Sequence, residues 1–187
     1  LPKNLTQRIR KDLDLLNIGS LYCYMFHSFR DFKTYYDMYK NEIWELKKAR
    51  IIHRFGVSVY TNHEIEELLK YETIDLIQMP FNLLDNNNHR SHVIKKAKEK
   101  GIKIHTRSAF LQGLFFKKTE KLPSKLMALE SYLIKINKIS NENNLNLSSL
   151  SLNYVIQQEN IDNVLMGVDS VEQLKENINS LKNKISA

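Results

Sequence analysis

Cysteine is nearly absent from this chain: Cys23 is the only one in 187 residues. An internal disulfide framework is therefore excluded, and a reducing, cytoplasmic compartment is the simplest setting. Long apolar runs are missing too. No segment approaches the uninterrupted length a membrane span needs, and the basic first residues lead into no signal-like stretch, so a soluble protein without a membrane partner is expected. The sequence has no Gly-rich phosphate loop, no Gly-x-Ser-x-Gly elbow and no basic strip interleaved with aromatics. The usual signatures of P-loop nucleotide binding, hydrolase chemistry and nucleic-acid binding are thus lacking. An initiating Met is also lacking: the chain opens Leu1-Pro2-Lys3, as if cut from something longer.

What is present fits an ordinary globular chain. A hydrophobic content of 42% with 26% charged residues is enough for one domain over 1–187 with one substantial core. Lys and Arg exceed Asp and Glu by 28 to 21, giving +7. That excess could attract phosphates, but it is spread over helix faces, where solvated charge is the ordinary explanation. Cys23 sits inside the apolar run Leu21–Phe26 and reads as a buried, inert thiol.

Hydrophobic periodicity alternates between helix and strand. Leu5, Ile9, Leu13 and Leu16 share a helical face behind an Asn4–Gln7 cap, with Gly19 as a stop. Strands are expected at Leu21–Phe26, Ile51–Val57, Ile74–Gln78, Ile102–Thr106 and Asn163–Met166. Between and after them come helices at Thr34–Lys48, after an Asn62 cap, at Ser91–Lys100, from Ser124 through Leu126, Leu129, Leu133 and Ile136, and at Leu147–Ile156. A last helix carries the apolar stripe Leu174, Ile178 and Leu181, and Trp44 reads as packing at a helix margin. Such alternation implies a parallel sheet of βα units. Two architectures satisfy it: an open doubly wound sheet, or a section of an eight-stranded (β/α) barrel, whose full form takes about 250 residues.

Both architectures put chemistry at the carboxyl ends of their strands. His27 follows the first strand, where an imidazole can donate to a carbonyl oxygen or relay a proton near neutral pH. Gly56-Val57-Ser58, Gln78, Arg107-Ser108, and Gly167 with Asp169 and Ser170 hold the equivalent places after the others. Each alone reads as a loop hydrogen-bonder; together they imply one shared rim. Gln173, Glu176 and Asn177 stand near the start of the last helix, where backbone N–H groups and side-chain amides can hold a nucleotide. His89 and His92 have a spacing that suits a metal, yet no Cys or acidic partner accompanies them, so no metal site is expected.

In series, Ser20–His27, Ile43–Lys47, Phe55–Ser58, Ile74–Asp85, Thr106–Leu114 and Met166–Asn177 resemble the aldo-keto reductase family in order and spacing, over nearly the whole chain. The resemblance implies a (β/α)8 TIM barrel, here incomplete, with about five parallel strands and surrounding helices. It also implies NADPH or NADH bound along the carboxyl-terminal rim. His27 matches the His that hydrogen-bonds the substrate carbonyl. Ser58 and Gln78 match the holders of the nicotinamide carboxamide, Ser108 lies in the segment lining the pyrophosphate, and Gly167 begins the loop covering it. Gln173, Glu176 and Asn177 match residues around the adenine and its ribose.

Departures from the family pattern matter as well. The family's Asp, Tyr and Lys belong to strands preceding Leu1, and Leu1-Pro2 resembles the residues just after that Lys. Val59 stands where an Asn is common, and Arg107 replaces an aromatic residue that stacks on the nicotinamide; its flat guanidinium can stack instead or clamp an anion. Asp169 stands where a small polar residue meets the 2′-phosphate, which an acid repels, so preference for NADH or weaker cofactor binding follows.

The expectation is an NAD(P)H-dependent oxidoreductase that reduces an aldehyde or ketone, sugar-derived by analogy, to an alcohol, with this stretch its greater part and inactive alone. The alternative is a non-catalytic truncated barrel acting as a nucleotide-binding or interaction module. A five-stranded section would expose two apolar sheet edges, so self-association is expected unless something else covers them.

Overall fold

Side-chain caps decide where the helices begin. In the structure, a computed structural model that describes residues 4–119 and 122–181, helix α1 covers Leu5–Leu16 and Asn4 Oδ1 accepts from Gln7 N–H at 2.7 Å. Its stop is Asn17, left-handed at φ 54, rather than Gly19; asparagine tolerates that conformation better than most L residues do. Leu1 and Pro2, with their resemblance to a family junction, lie outside the described residues.

Helix α2 (Phe29–Lys48) starts earlier than periodicity indicates, because Ser28 caps it. Ser28 Oγ accepts from Asp31 N–H and donates to the Asp31 carboxylate, so the polar, aromatic stretch after His27 is the helix's first turn. Trp44 on this helix is 53% exposed, with the Lys48 ammonium 5.0 Å from its ring centroid. Helix α3 (Asn62–Leu68) is capped by Thr61 and not by Asn62: Thr61 and Glu64 form a reciprocal capping box.

Helix α4 spans Asn87–Glu99, so the asparagine run is its entry rather than a free loop, and the Asn86 side chain accepts from Asn88 N–H. The stretch after Ser124 divides into a 3₁₀ helix, Ser124–Leu129, and α5, Glu130–Glu142. Helix α6 is Leu147–Ile156 and α7 is Val171–Ser180.

The strands are β1 (Tyr24–Phe26), β2 (Phe55–Ser58), β3 (Leu76–Pro80), β4 (Lys103–Arg107) and β5 (Asn163–Val164). They form one parallel sheet in the order β1-β2-β3-β4-β5. Several are shorter than their apolar runs, because Leu21 and Ile52 meet only through an isolated bridge ahead of β1 and β2. β3 differs in the other direction: it continues past Gln78 and ends on Pro80, which has no N–H to carry a ladder further.

By its internal contacts the chain divides into two compact units. The first runs through Met79 and takes in His92–His105. At its centre Phe32, fully buried, meets Phe26 and Tyr71 edge-on and Tyr36 at 4.8 Å; such aromatic pairs add to the burial itself. Asp75 ties this unit together: its carboxylate accepts from Phe55 N–H at 2.8 Å and pairs with the Lys47 ammonium of α2.

The second unit comprises Pro80–Ser91 and the chain from Thr106 onward. Its core is Leu114, Phe115, Leu122, Leu133 and Ile136. Arg90 donates through Nε and Nη2 to both carboxylate oxygens of Asp85 at 2.6 Å, a fork-on-fork pair that fixes the turn after β3. Inside that turn Asn82, fully buried, accepts from the N–H groups of Leu84 and Asp85. On α7 the expected apolar stripe is inverted. Leu174, Ile178 and Leu181 are 40–52% exposed, whereas Asn177 and Ser180 are buried. On that buried side Asn153 of α6 donates to the Ser180 backbone carbonyl at 2.8 Å.

Candidate functional site

In the first unit, register alone assembles one group of candidates. Phe26 pairs with Val57, and Val57 with Ile77. One residue further along each strand stand His27, Ser58 and Gln78, and Ser58 and Gln78 are themselves register partners. Neighbouring strands lie about 4.8 Å apart and partnered residues point to the same face, so a hydroxyl and an amide sit side by side. Ser58 is 4% exposed and ends β2, Gln78 is half-buried, and His27 is exposed just ahead of the α2 cap. The backbone beyond Ser58 is fixed as well, since Val59 N–H donates to Gln78 O at 2.8 Å. Gln78 is thus held inside a strand rather than on a loop.

Gly56 makes this register attainable. A Cβ on Gly56 would stand 2.6 Å from the Leu76 carbonyl oxygen, closer than any side chain allows. Glycine lets β2 and β3 approach with Ser58 opposite Gln78.

The second unit holds a cavity of about 780 Å³ that gathers another set: Ser108, Gly167, Asp169, Gln173, Glu176 and Asn177 all line it. Arg107, the last residue of β4, is not among its lining residues; its guanidinium lies 3.4 Å from Ser108 Oγ. One wall is the turn after β4, where Ser108 (φ 64), Leu111 (φ 46), Gln112 (φ 53) and Gly113 (φ 78) are all left-handed. For residues with a Cβ that conformation costs about 1–2 kcal/mol each, and such strain clusters at ligand clamps and active sites. Another wall is the start of α7, where Ser170 Oγ accepts from Gln173 N–H and Gln173 Oε1 accepts from Asp169 N–H at 2.8 Å. Gln173 therefore also shapes the turn that presents Asp169.

Sequence reasoning did not single out Gln112 or Ser148, yet both line this cavity. Gln112 was within reach, lying in a motif whose Gly113 signals an unusual turn. Ser148 stands in a run of serines on α6 and gives no signal of its own.

The cavity has features a dinucleotide requires. Nothing stands within 4 Å of where a Cβ would lie on Gly113 or Gly167, so the backbone on both sides is open to close approach. Asn177, 6% exposed, offers a buried amide with both donor and acceptor, and Gln173 and Ser108 add further polar groups.

Three ionisable groups away from these sites are shifted against charge. Burial, followed by the charge of Asp75, pushes the Cys23 thiol up from 9.0 to about 12, which keeps it protonated and unreactive. Tyr24 and Tyr154 are also raised, first by burial. Neither phenol is tuned toward proton donation near neutral pH. Among the described residues no group of three His, Cys, Asp or Glu side chains converges as a metal site would. Nor is any described helix long and apolar enough to cross a membrane.

Parallel βα units with polar groups at the strand ends suit both an open doubly wound sheet and a section of a (β/α)8 barrel, and the likeness to solved aldo-keto reductases shows the second. The aldo/keto reductase family profile matches residues 2–187, and the chain belongs to that family. It is 27% identical over 143 residues to an uncharacterized oxidoreductase, YqkF, of Bacillus subtilis, covering 72% of this chain and 46% of that protein. Among solved structures it resembles the aldo-keto reductase AKR11C1 from Bacillus halodurans in its holo form, with a TM-score of 0.74 at 20% identity over 98% of this chain and 60% of that one. A thermostable aldo-keto reductase, Tm1743, in complex with the inhibitor epalrestat, gives a TM-score of 0.68 at 17% identity, over 97% of this chain and 62% of that one. The chain thus spans about half to three fifths of the length of these relatives.

Proposed function

We propose that this chain is the cofactor-holding part of an NAD(P)H-dependent oxidoreductase that reduces an aldehyde or ketone to an alcohol. The observation that carries the reading is the cavity lined by Ser108, Gly167, Asp169, Gln173, Glu176 and Asn177, residues matching the family's pyrophosphate and adenosine segments. The name oxidoreductase on the Bacillus subtilis relative supports the reaction class. Sugar-derived carbonyl compounds are the proposed substrates, by analogy of the Arg107–Gly113 segment.

When bound, the nicotinamide supplies the hydride. The protein's own residues bind and orient. Ser58 and Gln78, fixed opposite each other by register, would hold the carboxamide through hydroxyl and amide. His27 donates a hydrogen bond to the substrate carbonyl oxygen and aligns it; its exposure leaves it free to meet a substrate entering from solvent. Asn177 and Gln173 bind the adenosine end, and Ser108 contributes a hydroxyl to the pyrophosphate. No residue of this stretch matches the family's Tyr acid, so in the full enzyme the proton comes from outside it.

Calorimetric titration of the chain with NADH and NADPH tests the binding half: saturable binding to one site is expected, and no heat at millimolar cofactor defeats the proposal. The catalytic half is tested by His27→Ala in the full-length enzyme. Turnover of a model aldehyde should fall about 100-fold or more, the usual contribution of a positioned proton-handling group, while cofactor affinity stays the same. Cofactor binding with no turnover by the full-length enzyme would favour a non-catalytic nucleotide-binding module instead.

A further inference from the structure

The cavity of the second unit is at odds with the protein's overall charge. The chain carries +7, yet among the described residues no Lys or Arg lines this cavity, and its ionisable lining residues are Asp169 and Glu176, both acids. Glu172, in the first turn of the same helix, lines a neighbouring groove and not this cavity. The nearest lysine in sequence, Lys175, lines that groove too, together with Glu176, which faces both, so Asp169 is the acid set apart from it; Arg107 is engaged beside Ser108 at the end of β4.

We infer that Asp169 and Glu176 make this cavity select a nucleotide whose adenosine ribose is unphosphorylated, NADH over NADPH; the inference rests on the cofactor reading above. The chemistry is a matter of donors and sign. A ribose with free hydroxyls donates hydrogen bonds, and a carboxylate is an acceptor only. A 2′-phosphate donates little and carries close to two negative charges at neutral pH; beside carboxylates, in a cavity with no Lys or Arg among its described lining residues, it is repelled. Carboxylates against the ribose accompany NAD use and arginines accompany NADP use in other dinucleotide folds for this same reason. Asp169 is exposed but not loose: its N–H is bonded to Gln173 Oε1, so its carboxylate is presented from a fixed turn.

The test needs no turnover. The chain is titrated by calorimetry with 5′-AMP and with 2′,5′-ADP (adenosine 2′,5′-bisphosphate), which differ only in the phosphate in question. The 5′-AMP is expected to bind at least about tenfold more tightly, a difference near 1.4 kcal/mol. In Asp169→Asn/Glu176→Gln that ratio should fall to about threefold or less, and in the unaltered protein it should shrink with added salt, as repulsion between charges does. Equal or tighter binding of 2′,5′-ADP, or a ratio that the double substitution leaves unchanged, overturns the inference while leaving the cofactor site standing. Failure of both nucleotides to bind overturns the cofactor reading itself, and the inference with it.

Discussion

The two units solve the same problem with different means. In the first, short strands in strict register and an aromatic cluster around Phe32 hold His27, Ser58 and Gln78 in place. In the second, the lining residues sit on turns, 3₁₀ segments and helix starts, and the backbone spends several left-handed residues on the turn after β4. Regular pairing places side chains through many weak, redundant constraints, whereas a strained turn places them through a few local ones. The first arrangement suits a site needing fixed spacing, and the second suits a wall that must come close to a ligand.

That contrast can be broken most forcefully at Phe32. Phe32→Ala should cost about 3–5 kcal/mol, the usual range for losing a fully buried Phe, measured by urea unfolding. Hydrogen exchange would show whether amides of the second unit are released at the same denaturant concentration. If they are, the two units unfold cooperatively; if not, they are separate in stability as well as in construction.

Gly56→Ala comes next, at about 1–3 kcal/mol for an overpacked contact. Because the clash is with the Leu76 carbonyl, the expected signature is altered exchange in β2 and β3, with NADH affinity weakened more than 5′-AMP affinity. The opposite sign is expected in the second unit. Gln112→Gly relieves a left-handed residue at φ 53 and should raise the urea midpoint by an amount worth about 1 kcal/mol. A loss of stability there would mean that the turn is held by its side chain.

Cys23 gives an effect that vanishes at neutral pH. Its folded pKa, about 12, lies above the ordinary 9.0, so the folded chain keeps a proton that the unfolded chain releases. The corresponding stability is fully present below about pH 9 and is lost as pH rises toward 12. Wild type should therefore lose more stability than Cys23→Ala between pH 8 and pH 10.5, and native Cys23 should resist iodoacetamide until the first unit opens.

Element order was readable from hydrophobic periodicity because the helices and strands alternate so regularly. Boundaries were less so, since they are set by single hydrogen bonds: Ser28 to Asp31, and Thr61 to Glu64, start their helices where apolar spacing gives no cue. The α7 stripe misled for a physical reason. Periodicity identifies an apolar face but not which side is covered, and here the side carrying Asn177 and Ser180 is the buried one. Of the candidate site, the strand-end residues followed from topology and the α7 residues from family resemblance. Gln112 and Ser148 depended on a turn and a helix packing that no local pattern announces.

Gly56 also bears on how this sequence can drift. Gly19 has nothing within 4 Å of a would-be Cβ, so its position can accept small side chains over many generations without a packing cost. At Gly56 every replacement, however small, pushes on a neighbouring strand's backbone. A saturation library selected for cofactor binding should return that column almost blank, and a natural variant carrying a side chain there would have to bring a compensating change in β3.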